Sequence, residues 1–101
     1  MNWTAEDIRA FRERLGLSQT DFANLLGVDA RSVRRWESGQ GTPTGAALAV
    51  LNGLHQAMEA EERKGNQASL LAIIAGAAAV GGLAFLLYKL LTFLAEEEND
   101  D

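Results

Sequence analysis

One pattern recurs three times within the first 33 residues and dictates helices. An apolar residue precedes a polar capping residue, and a second apolar residue follows the cap by four positions: Trp3-Thr4-Ile8, Leu17-Ser18-Phe22 and Val28-Asp29-Val33. Thr, Ser and Asp side chains accept hydrogen bonds from N–H groups that a first helical turn leaves unpaired, and the flanking apolar pair packs across the cap. Asp7 and Asp21, three residues after the first two caps, complete capping boxes. The pattern predicts a first helix from about Ala5 to Leu15, a second ending near Leu26 and a third ending at Glu37-Ser38-Gly39. Gly16 and Gly27 stand where a left-handed residue closes a helix. Gly39-Gln40-Gly41-Thr42-Pro43 reads as a loop, and Thr44 caps a fourth helix with Ala47, Leu51, Leu54 and Met58 on one face.

The expected fold class is therefore all-α. It has a compact four- or five-helix domain over residues 1–58, a charged linker over 59–67, one long hydrophobic helix over 68–95 and an acidic tail over 96–101. Without cysteine, the chain forms neither a disulfide framework nor a thiolate zinc site. The net charge of −5 is unevenly distributed. Residues 1–67 carry eight Arg/Lys against nine Asp/Glu, and residues 68–101 carry one Lys against five acids. A globally basic nucleic-acid binder is excluded, but a local basic stripe is not. The opening Met-Asn-Trp-Thr-Ala-Glu-Asp lacks a basic region followed by an apolar run, so no cleavable signal peptide is expected.

Only Gly27-Val28 joins the second and third helices, and so short a joint holds them at a steep angle. Ala23 is small where the two must cross, and Val33 and Trp36 point inward from the third helix. Arg31, Arg34 and Arg35 fall on its other faces. A helix with an apolar inner face and guanidinium groups outside suits a DNA major groove, because arginine bonds a guanine edge or a phosphate.

The run Leu17-Ser18-Gln19-Thr20-Asp21-Phe22-Ala23, then Leu26-Gly27-Val28, then Ser32-Val33-Arg34-Arg35-Trp36-Glu37-Ser38-Gly39, resembles the lambda-repressor-like Cro/XRE family of helix-turn-helix proteins. The resemblance covers roughly residues 3–58. It implies five helices, the fifth being Leu54 to Lys64 if separate from the fourth, and dimeric binding to double-stranded operator DNA. It also implies site residues. Gln19 would touch a phosphate or clamp a base-reading side chain, and Ala30, Arg31 and Arg35 would face base edges. Arg34 would reach a phosphate, and Thr42 and Thr44 would contact backbone. Glu37 reads as structural, paired with an arginine such as Arg12 or Arg14.

Leu70 to Tyr88 is 19 residues without a charge, nine of them Leu, Ile, Val or Phe. As a helix it would be about 28 Å long, close to the roughly 30 Å of a bilayer's hydrocarbon core. Its apolar residues favour insertion by about 3 to 5 kcal/mol. The expectation is a single-pass inner-membrane helix with the N-terminal domain in the cytoplasm, so that the lipid bilayer is a second partner. Ala68, Ala72, Ala75, Ala79 and Gly82 repeat at four-three spacing and form a small-residue stripe suited to self-association in lipid. Homodimers or higher homo-oligomers are expected. The competing arrangement makes the apolar helix a buried soluble helix or oligomer core.

No nucleophile–base pair, phosphate-cradling loop or metal-ligand spacing is present, and His55 is the only histidine. The chain reads as a non-enzyme without cofactor or metal. The leading reading is a membrane-anchored, repressor-like transcriptional regulator of bacterial or phage type. Two others stay open: a membrane-anchored scaffold that binds a protein partner, and a structural component of a membrane-containing particle.

Overall fold

A computed structural model describes residues 2–65 and 69–81. Five helices and no strand occur among them: α1 (Ala5–Arg14), α2 (Gln19–Leu26), α3 (Ala30–Glu37), α4 (Gly45–Arg63) and α5 (Leu70–Gly81). The chain divides into two compact units, the first ending at Asn52 and the second beginning at Gly53.

Each helix of the first unit starts where its cap dictates. The Thr4 hydroxyl accepts from the Asp7 N–H at 3.1 Å while the Asp7 carboxylate accepts from the Thr4 N–H at 3.1 Å, closing the capping box. Ser18 accepts from the Asp21 N–H at 3.1 Å, and Asp29 from the Ser32 N–H at 2.9 Å. The carboxylate of Asp21 makes no return bond to Ser18, so the second start is a cap without its box. All the staple partners Trp3, Ile8, Leu17, Phe22 and Val33 are buried, and Val28 is half-buried. α1 stops at Arg14 with Leu15 as its cap, one residue short of the expected end.

Phe22 and Leu25 of α2, Val33 of α3 and Val50 and Leu51 of α4 are fully enclosed in the first unit. Phe11 stands between two aromatic neighbours, with ring centroids 5.4 Å from Trp3 and 6.4 Å from Phe22. The Trp3 indole N–H donates to the Asn52 carboxamide oxygen at 2.8 Å, which fixes the N-terminal segment to α4. Without that partner the buried ring would leave its one donor unpaired.

α4 is a single helix through Arg63, so the fifth helix allowed at Leu54 to Lys64 is its continuation. In the second unit Leu54, Ala57 and Met58 of α4 and Ile73 and Ile74 of α5 are buried. A Cβ placed on Gly76 would lie 3.3 Å from the Ala57 Cβ, so α5 passes α4 at close range there. The long helix expected over 68–95 is described only as the 12 residues of α5, and no helix of the described residues is long and apolar enough to cross a membrane. Of the small-residue stripe, Ala72 is half-buried and Ala75 exposed; Ala79 lies within α5, and Ala68 and Gly82 lie outside the described residues. The rest of the expected hydrophobic helix and the acidic tail also lie outside them.

Trp36 is buried on the inner side of α3. Trp36→Ala should therefore destabilise the protein by about 3–5 kcal/mol in denaturant unfolding. A variant that unfolds like the parent would place the ring outside the core.

Candidate nucleic-acid interface

The angle between α2 and α3 depends on one glycine. Gly27 has φ of 76° and ψ of 29°, a left-handed conformation that side-chain-bearing residues rarely adopt. The Val28 N–H then returns to the Ala23 carbonyl at 2.9 Å, closing the end of α2 immediately before Asp29 caps α3. Ala23 is buried, as the crossing requires.

α3 divides into two sides. Val33, Trp36 and Glu37 are buried, while Arg31, Arg34 and Arg35 are exposed and Ala30 is half-buried. No hydrogen bond or ion pair among the described residues engages the Arg31 or Arg34 guanidinium. Arg35 is held differently. Its Nη2 donates to the Gln40 carbonyl at 3.2 Å, so this arginine is tied to the loop after α3. Thr42 and Thr44 are exposed in the same loop, on either side of buried Pro43. At the other end of α3, the Ser32 N–H and then the Ser32 hydroxyl hold the Asp29 carboxyl below its ordinary value.

Glu37 unites the three helices. Its side chain is 1% exposed and accepts from Arg12 Nε at 2.7 Å and Arg12 Nη2 at 3.0 Å, a bidentate pair between α1 and α3. Arg9 Nε approaches the same carboxylate at 3.4 Å, and the Gln19 carboxamide N–H donates to it at 3.2 Å from α2. Arg12 Nη1 also donates to the Leu17 carbonyl at 2.9 Å. Burial alone would push the Glu37 carboxyl up, but the hydrogen bonds from Arg12 and Gln19 and the Arg12 charge outweigh it and hold the group below its ordinary value. The same hydrogen bond raises Arg12 further.

These contacts decide several sequence readings. Of the two arginines offered as partners for Glu37, Arg12 makes the pair. Arg9, three residues earlier in α1, joins it. That spacing puts Arg9 and Arg12 on one helix face, a signal the sequence carried and the reading overlooked. The Gln19 carboxamide is bonded to Glu37. The loop carbonyl that takes Arg35 had no sequence signal, because any residue at position 40 supplies one. His55 is half-buried in α4, its Nδ1 3.1 Å from a Glu59 carboxylate oxygen. No group of three or more potential metal ligands occurs among the described residues.

Residues 8–51 match the helix-turn-helix family model. The match takes in α2, the Gly27 turn and α3. The chain is 44% identical over 50 residues to the type II methyltransferase M.SsoII of Shigella sonnei, a match spanning 46% of the chain and 13% of that protein. It is 46% identical over 46 residues to a putative HTH-type transcriptional regulatory protein of Archaeoglobus fulgidus, over 46% of the chain and 15% of that relative. It is 33% identical over 51 residues to antitoxin HigA-2 of Vibrio cholerae, over 50% of the chain and 49% of that relative. The chain thus spans half or less of each of these curated relatives. No solved structure matches.

Replacing Glu37 by glutamine removes the charge but keeps the shape. Because the folded-state carboxyl titrates below its ordinary value of 4.5, its stabilisation is present above that value and is lost as the pH falls through the lowered one. Glu37→Gln should cost about 1–3 kcal/mol at neutral pH, and the gap between parent and variant should close as the pH drops below 4.5. Urea unfolding across that range checks this, and a gap independent of pH would contradict it.

Proposed function

We propose that the chain is a sequence-specific DNA-binding regulator of transcription, acting on duplex DNA as a dimer. The observation that carries this reading is the two-sided α3, with Val33 and Trp36 in the core and Arg31, Arg34 and Arg35 outside. The name of the Archaeoglobus relative supports it. In this reading α3 enters the major groove, Ala30, Arg31 and Arg35 face base edges, and Arg34, Thr42 and Thr44 meet the phosphate backbone. Gln19 acts through Glu37, to which it is bonded. A regulator built this way needs no catalytic centre.

We also propose that the uncharged run from Leu70 to Tyr88 anchors the regulator in the inner membrane, with the helix-turn-helix domain in the cytoplasm. The support is the run itself. The burial of Ile73 and Ile74 and the close passage of Gly76 by Ala57 favour a second arrangement, in which α5 is covered by α4 without lipid.

Selection from random duplexes tests the first proposal. The full chain should enrich a two-fold symmetric site with half-sites about one helical turn apart. Arg35→Ala should relax one base position at a cost of about 1–3 kcal/mol. Arg34→Ala should weaken all sequences alike and lower the salt slope by about 0.9. Absence of any enriched sequence would defeat the regulator reading. Alkaline extraction tests the anchor: retention in the membrane pellet supports it, and a full-length protein soluble without detergent overturns it.

A further inference from the structure

Arg35 and Gln40 are joined twice. The Gln40 N–H donates to the Arg35 carbonyl at 2.8 Å, and the Arg35 guanidinium donates back to the Gln40 carbonyl at 3.2 Å. The next residue, Gly41, has φ of 143°, which a residue with a side chain rarely adopts. A Cβ placed there would lie 3.5 Å from Arg35 Nη2 and 4.0 Å from Trp36 Cδ1. The loop thus lies against the guanidinium and against the edge of the buried Trp36 ring. Among the described residues, no such hydrogen bond holds the Arg31 or Arg34 guanidinium.

We propose that Gly41 and the Gln40 carbonyl are positioning groups for base recognition, holding Arg35 in the orientation it needs in the groove before DNA arrives. This rests on the regulator reading above. A free arginine loses side-chain freedom when it docks on a base, and a held one loses less. The clamp uses one of the five guanidinium N–H donors, and the others remain for the two acceptors of a guanine edge. The restraint is made by main-chain atoms, so it depends on the path of the backbone at residue 41 and not on the side chain at residue 40. Arg35 is in consequence the specificity-determining arginine of α3, and Arg31 and Arg34 are adaptable contacts.

The test has two arms, both on the full chain. In the first, the enriched duplex is challenged by single base-pair changes. Gly41→Ala should lose roughly three- to ten-fold in discrimination at the one position that Arg35→Ala relaxes, part of the about 5- to 150-fold a bidentate contact supplies. Discrimination at the other positions should be retained. Arg35→Lys keeps the charge but lacks the fork, so it should keep the salt slope and lose the same discrimination. In the second arm, side-chain NMR relaxation of the DNA-free protein should show the Arg35 Nε–H more ordered than those of Arg31 and Arg34. This arm stands even if Gly41→Ala fails to fold. An Arg35 as mobile as its neighbours, or a folded Gly41→Ala protein with unchanged discrimination, overturns the proposal. A chain that enriches no duplex at all fails at the regulator reading instead, and the relaxation data then still decide whether the clamp exists.

Discussion

The buried carboxylate of Glu37 is the interaction on which the arrangement of the first three helices depends. It lies at the end of α3 and is reached by two arginines of α1 and a glutamine of α2. A charge so enclosed is tolerable only when paired and fully hydrogen-bonded. Removing Arg12 would leave the buried Glu37 carboxylate without its bidentate partner. The helices are thereby held in one relative orientation by groups whose geometry is directional, where apolar contacts alone would accept several.

That orientation gives α3 its two sides. Val33 and Trp36 must face inward because the core of the first unit closes over them, and Glu37 must face Arg12. At 100° per residue the positions that then point farthest from the core are 31, 34 and 35, and all three are arginine. A local basic face on an acidic chain follows, which the net charge of −5 conceals. Counting charges over the whole molecule would miss it, because residues 68–101, with five acids against one Lys, carry most of the net negative charge.

The helix starts were legible in the sequence because their causes are local. A capping oxygen and a staple pair act within five residues, so Thr4, Ser18 and Asp29 could be read one at a time. Glu37 was legible as structural but only half legible in its partners, since the distance from Arg9 to Glu37 in the chain is bridged by tertiary packing. The Trp3–Asn52 bond had no local signal for the same reason. The Arg35 clamp was invisible in principle, as its acceptor is a main-chain carbonyl. The apolar segment shows the opposite limit. Hydropathy describes how much a helix would gain by leaving water, and a neighbouring helix or a bilayer satisfies that equally. The burial of Ile73 and Ile74 is therefore a fact about packing that composition could not anticipate.

The central claim is that the outer side of α3 and the loop after it form one DNA-facing surface, rigidly based on the Glu37 cluster. Chemical-shift mapping of the chain on its selected duplex tests this most directly. The account predicts that the largest amide perturbations fall in residues 29–35 and 40–44, with α2 affected only at its first turn around Gln19. Perturbations centred on α1 or on α5, with α3 unchanged, would contradict it.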